Sequence, residues 1–280
     1  MRIFKDLAVA SFSALSVMLS ACGGASGNGQ NDDRGACEGL NLDSIHEVTL
    51  LEENISYSAC LDCNILDDRT MEVWGPSFVC KDARRPVVMF VPSMTTESVE
   101  EFVRPLVENG YIVAVPKCAN IKNERKNDKT LEGLRCGVND LTDAVKKVKL
   151  NYEKYGADTA TIFLAGFGSG AEVAMNYCYV NGLYDKVDME GIKGVIALAP
   201  NASLNFDNLD RNDDCSLITL VLVAENESDE VNEAVFALQR QLGDLVWVKA
   251  MPVVEENSTR SFSDSLHVHS GKFVNYILRQ

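Results

Sequence analysis

Six short apolar runs govern what this chain can become. They are PVVMFVP (86–92), YIVAV (111–115), TIFLAG (161–166), GVIALAP (194–200), LITLVLVA (217–224) and LVWVKAM (245–251). Each is continuous rather than alternating, the pattern of strands buried on both faces of a parallel sheet. Helical periodicity fills the gaps between them. Val99, Phe102, Val103, Leu106 and Val107 follow the i, i+3, i+4, i+7, i+8 spacing of an amphipathic helix, with Pro105 expected to kink it and Gly110 to end it. A polar loop holding Cys118 and Cys136 comes next. Val138, Leu141, Val145 and Val148 then mark a helix ending near Gly156. Further helices are expected from Ser169 to about Val180, near 230–242 and at 270–279. Residues 45–52 and 69–74 alternate loosely and read as early antiparallel strands. Strands alternating with helices predict an α/β fold with a mostly parallel central sheet flanked by helices.

The start of the chain is of another kind. Arg2 and Lys5 precede an uncharged apolar stretch from Leu7 to Leu19, and small residues follow. This is the layout of a secretory signal, and the stretch is too short for a membrane-spanning helix, which needs about 20 residues. Leu19-Ser20-Ala21-Cys22 resembles the bacterial lipobox. The resemblance implies a signal peptide over 1–21 and a lipid on Cys22 that anchors the mature protein to a membrane. Gly23 resembles the default sorting signal, which implies the outer membrane of a cell envelope. Residues 22–36 are small and polar and read as a lipidated flexible tether. With no second low-complexity break and no internal repeat, residues 37–280 read as one domain.

Charge and cysteines narrow the function. The 280-residue chain carries a formal charge of −15, and losing the signal peptide leaves about −16. That balance gives no basic footprint for nucleic acid. Beyond Cys22, eight cysteines remain: Cys37, Cys60, Cys63, Cys80, Cys118, Cys136, Cys178 and Cys215. An even number in an exported domain points to disulfides. The order of elements makes Cys118–Cys136 and Cys178–Cys215 the first pairings to test. Cys60-Leu-Asp-Cys63 has the spacing of a redox or zinc pair. It lacks a second such pair, a nearby His or a surrounding βαβ pattern, so neither metal nor cofactor is expected.

The segment TIFLAGFGSGAEVA (161–174) carries the chemical signal: a buried strand, a glycine-rich turn, then a helix of small residues. It resembles the nucleophile elbow, G-x-S-x-G, of the α/β-hydrolases. The likeness runs along residues 84–280, and KYGADTATIFLAGFGSGA is similar to the secreted esterase branch with its feruloyl, acetyl and dienelactone-hydrolase-like members. Only 16 residues join the runs 194–200 and 217–224, which leaves no room there for a large lid domain.

In register with that motif, Gly166 and Gly170 are the flanking glycines and Gly168 stands where the family has its serine. Ser169 comes one place late. Making Ser169 the nucleophile would put Phe167 where the elbow needs a small side chain. As a first-turn residue, Ser169 also suits a plain helix start. The resemblance places the acid after the strand 217–224, where Glu227 and Asp229 lie. It places the histidine before the last helix, where His267 and His269 lie, His267 being preferred. These residues suit exposed loops equally well. His267-Val-His269 has metal-binding spacing but no evident partner ligands. The oxyanion hole would use the backbone N–H of Ser169 and another from Ser93 or Met94. The expected function is therefore a non-catalytic relative that binds a small ester or glycan ligand. The alternative is an active carboxylic-ester hydrolase using Ser169 with His267.

Overall fold

The computed structural model describes residues 45–57, 69–77, 84–93, 99–117, 130–179, 187–200, 217–224 and 228–251. All lie within one compact unit, Cys37–Gln280. Eight strands form one sheet: β1 Val48–Ser56, β2 Thr70–Pro76, β3 Arg85–Val91, β4 Ile112–Pro116, β5 Ala157–Phe167, β6 Ile192–Leu198, β7 Ile218–Ala224 and β8 Val246–Met251. Their spatial order is β1-β2-β4-β3-β5-β6-β7-β8. β2 runs antiparallel to both β1 and β4, and every later pairing is parallel. The helices are α1 Glu100–Glu108, α2 Thr130–Leu150, α3 Tyr152–Tyr155, α4 Ser169–Tyr179 and α5 Asp229–Leu242.

The apolar runs 86–92, 111–115, 161–166, 194–200 and 217–224 form interior strands because both of their faces are covered, whereas 245–251 forms the edge strand β8. Along β3, Val87, Met89 and Val91 join a core shared with α2, α4 and α5. Val88 and Phe90 point the other way, into a core closed by Phe102, Val103, Leu106 and Val107 of α1. β5 and β6 divide in the same manner: Ile162, Leu164, Val195 and Ala197 face one core, Phe163, Ala165, Ile196 and Leu198 the other. A strand with two buried faces cannot alternate in polarity, and these do not.

The structure departs from the sequence expectations in three places. α2 begins at Thr130, so Cys136 lies on a helix rather than in the expected polar loop. Gly133, Gly137 and Arg135 between them hide a helical stripe that Leu134 already begins. Gly137 is where α2 meets α4, for a Cβ there would stand 2.7 Å from Val173 Cγ2. α1 continues through Pro105 to Glu108. β1 starts and ends later than its alternation suggests, because its pairing with β2 shifts register between Leu50 and Glu52 and again between Glu52 and Ile55, with Asn54 at φ +55°. The expected helix 270–279 lies outside the described residues. No helix among the described residues is long and apolar enough to cross a membrane.

Candidate active site

β5 and α4 are joined by a single residue, Gly168, at φ +56°. Such a φ is costly for any side chain and free for glycine. The turn is held on both sides: Gly168 N–H donates to Leu198 O at 2.9 Å, and Gly168 O accepts from Ala171 N at 3.1 Å and Glu172 N at 3.4 Å. The last two are the first bonds of α4, so the helix starts as the strand ends.

The neighbouring glycines are fixed by space rather than by φ. A Cβ on Gly170 would stand 2.0 Å from Val91 O, and one on Gly166 would stand 2.3 Å from Gly170 C and O. α4 therefore crosses the ends of β3 and β5 backbone to backbone. Phe167 takes no part in this close approach. It is half-buried and its ring lies 5.1 Å from that of Phe102 on α1. Gly166, Gly168 and Gly170 thus form a tight turn, and Ser169 is the first, buried residue of α4.

Ser93 faces this turn. β3 and β5 are adjacent and parallel, with Val91 opposite Gly166. Ser93 and Gly168 each lie two residues beyond that pair, so the register sets them side by side. A Cβ built on Gly168 would stand 3.3 Å from Ser93 Oγ and 3.4 Å from Ser93 Cβ, and meets nothing else among the described residues within 4 Å beyond its chain neighbours. Ser93 is 9 % exposed and Ser169 is 8 % exposed. The place is the carboxyl edge of the parallel strands, where open α/β sheets bind their ligands.

Of the other candidates, Asp229 is an exposed first-turn residue of α5. Ser228 caps that helix by accepting from Val231 N at 3.3 Å, and an acid at this end suits the helix dipole. Met94, Glu227, His267 and His269 lie outside the described residues, as do Cys22, Cys37, Cys60, Cys63, Cys80, Cys118 and Cys215. Cys178 is buried on α4. Neither expected disulfide has both of its sulfurs among the described residues. His46 is at the opposite end of the sheet, where its N–H donates to Glu108 O at 3.0 Å. A cavity of about 460 Å³ lined by Arg84, Glu153, Lys154 and Gly156 opens at that same end, where β3 and β5 begin.

Buried charge near the site escaped sequence reasoning. Arg69, just before β2, lies 3.3 Å from Asp140 of α2, with side-chain exposures of 4 % and 1 %. Glu172, in the first turn of α4, is buried as well. No periodic pattern flags a pair 71 positions apart in the chain. Only the topology, which sets the start of antiparallel β2 beside the end of β4, brings Arg69 to the carboxyl edge.

No protein-family model matches this chain, and no curated protein sequence matches it. Solved structures do. An esterase B from Lactobacillus rhamnosis, in an inhibited form, aligns with TM-score 0.60 at 13% identity, over 83% of this chain and 88% of that one. The native esterase Est2 of the Planctomycetes species Thermogutta terrifontis aligns with TM-score 0.57 at 12% identity, over 82% and 92%. Its apo form aligns with TM-score 0.55 over 85% and 96%. The fold is that of the α/β-hydrolases. At such identities the likeness is one of architecture, and it spans nearly the whole of each esterase.

Proposed function

We propose that this protein is a lipid-anchored envelope protein whose α/β-hydrolase domain holds an ester-bearing ligand, small or glycan-linked, without hydrolysing it in the manner of its structural neighbours. The observation that carries the reading is Gly168. It lies at positive φ between two close-approach glycines, where the resemblance expects the nucleophilic serine. Glycine keeps the turn and supplies no attacking oxygen. An α/β-hydrolase that loses a triad member retains at best about 10³–10⁴-fold over water, which comes from binding and the oxyanion hole alone.

The test is hydrolysis of a 4-nitrophenyl acyl ester by the purified protein, beside its Ser169→Ala and His267→Ala variants. Thermal shift with ethyl butyrate reads binding separately. The expected result is turnover barely above background in all three proteins, with a raised melting temperature on adding the ester. Turnover at an ordinary enzyme rate, about 1–10³ per second, abolished by Ser169→Ala would overturn the reading and make Ser169 the nucleophile of a working esterase.

The anchoring belongs to the same proposal and rests on Leu19-Ser20-Ala21-Cys22. The lipid on Cys22 makes a membrane, taken from Gly23 as the outer membrane, the standing partner. Radioactive fatty acid should label the wild type and leave Cys22→Ser unlabelled and released from the membrane fraction. Equal labelling of the two would refute it.

A further inference from the structure

The hydroxyl missing from residue 168 has a neighbour in the right place. Four observations bear on it. Ser93 and Gly168 are matched in register on adjacent parallel strands, each two residues past the pair Val91 and Gly166. The place that a Cβ on Gly168 would occupy lies 3.3 Å from Ser93 Oγ. Apart from its two chain neighbours, no other described side chain comes within 4 Å of that position. Ser93 also leaves β3 at the carboxyl edge of the sheet, on the side from which a ligand reaches the turn.

We propose that Ser93 Oγ replaces the oxygen that Gly168 lacks, and that it accepts an acyl or phosphonyl group from a ligand in the cleft. The inference rests on the ester cleft proposed above and goes beyond it: the site captures its ligand covalently, from the loop strand rather than from the elbow. The geometry favours this exchange. Two serines, one at 168 and one at 93, would crowd their hydroxyls into the same few ångströms. One serine opposite one glycine avoids that crowding. The residue bearing it no longer has to tolerate positive φ, since that burden stays with Gly168.

The step balances without any added reagent. Ser93 Oγ bonds to the ester carbonyl carbon as its proton passes to a solvent water. The carbonyl π pair moves onto the oxygen, where the N–H of Ser169 can donate to it. When that pair returns, the bond to the alcohol oxygen breaks. The leaving alkoxide takes a proton back from solvent, giving acyl-Ser93 and free alcohol. With an alkyl fluorophosphonate the new bond is Oγ–P, the broken bond is P–F, and fluoride leaves as the proton is lost.

The experiment treats the full-length protein with an alkyl fluorophosphonate and locates the adduct by peptide mass spectrometry. Ser93→Ala, Ser93→Gly and Ser169→Ala are treated alongside, each checked for an unchanged melting profile. The expected result is a stoichiometric adduct on the peptide containing Ser93, retained in Ser169→Ala. Both Ser93 variants should lose it by at least about a hundredfold, because they have no oxygen to phosphonylate. Having two variants guards against one that fails to fold. An adduct on Ser169 that persists in Ser93→Ala would overturn both this inference and the reading of Gly168. No adduct at all, while ethyl butyrate still raises the melting temperature, would overturn the role of Ser93 and leave the binding reading standing. No adduct and no shift would overturn both.

Discussion

The elbow can be tested through stability, independently of any ligand, by placing a single methyl group at each of its glycines. At Gly170 the new Cβ would sit 2.0 Å from Val91 O, and at Gly166 it would sit 2.3 Å from Gly170 C and O. Neither neighbour is the free end of a side chain. Relief requires moving α4 off the ends of β3 and β5, so each alanine should cost more than about 4 kcal/mol. At Gly168 the balance is different. Its φ of +56° costs an L-residue about 1–2 kcal/mol. The less flexible unfolded chain returns about 0.4–1 kcal/mol of that. The contact with Ser93 Oγ at 3.3 Å is tight but can yield by a few tenths of an ångström. The net loss is about 1 kcal/mol, a fall of about 2–4 °C in melting temperature for a domain of this size.

Gly243 provides the control. Its φ is +59° and its ψ −130°, with nothing within 4 Å of a Cβ, so Gly243→Ala reports a positive-φ backbone cost without any crowding. Scanning calorimetry of the four alanine variants should rank 166 and 170 far below 168 and 243. If Gly168→Ala were as damaging as Gly170→Ala, or Gly170→Ala were tolerated, the close approach would be elsewhere and the register 166-168-170 would fall. Gly168→Ser shares the alanine's backbone cost and adds an oxygen. It should gain ester turnover only if His267 or His269, with Glu227 or Asp229, lies within hydrogen-bond reach.

Other consequences follow from charge and covalent structure. Asp140→Asn should remove a carboxylate charge 3.3 Å from a buried guanidinium and cost up to about 3–5 kcal/mol, whereas replacing Arg69 and Asp140 together by Met and Leu should recover most of the loss; denaturant melts of both variants decide it. The Glu52 carboxyl on β1 is held below its ordinary pKa of 4.5 by hydrogen bonds from Lys154 Nζ at 2.5 Å and Tyr155 OH at 2.6 Å. A depressed carboxyl stabilises the fold above its unfolded pKa and loses that contribution as pH falls through the folded one. Glu52→Gln should therefore lower stability at pH 7 and flatten its fall below about pH 4.5, by under about 1 kcal/mol because Lys154 is exposed. Alkylation before and after reduction should find the eight cysteines beyond Cys22 paired, and reductant should lower the melting temperature, since losing a native disulfide costs about 2–5 kcal/mol. Several thiols alkylated in the native protein would contradict that.

How much could be read from the sequence depended on whether a residue's neighbours leave a mark along the chain. β3 through β7 did so, because burial on both faces demands unbroken apolar runs such as VVMFV and ITLVLVA. β1 did so poorly: it is an edge strand whose bulges at Leu50–Glu52 and Glu52–Ile55 break the two-residue period that would mark its ends. The start of α2 was concealed by Gly137, whose absent side chain lets α4 approach. The turn was legible as a turn, because alternate glycines mark a place where two backbones touch. Phe167 lies against Phe102, on the opposite face of the sheet from the glycine contacts.

Ser93 shows the limit, and how it could have been passed. Sequence reasoning valued that loop only for a backbone N–H, since the elbow in this fold brings its own hydroxyl. Once Gly168 is placed at the turn, the hydroxyl has to be sought on whichever strand lies beside β5. In the order β4-β3-β5 that strand is β3. Counting two residues past the end of β3, as one counts two past Gly166 to reach Gly168, arrives at Ser93. The signal was thus a pairing of two positions across the sheet. Neither residue is unusual alone: a serine after a strand is an ordinary loop residue, and a glycine before a helix is an ordinary turn. Together they set the Ser93 hydroxyl across the gap from Gly168 at the carboxyl edge. If that oxygen proves inert to a fluorophosphonate, the pairing is steric, with Ser93 filling the space that a side chain at 168 would have occupied. In that case Gly168→Ser should be tolerated better with glycine at position 93 than with the native serine.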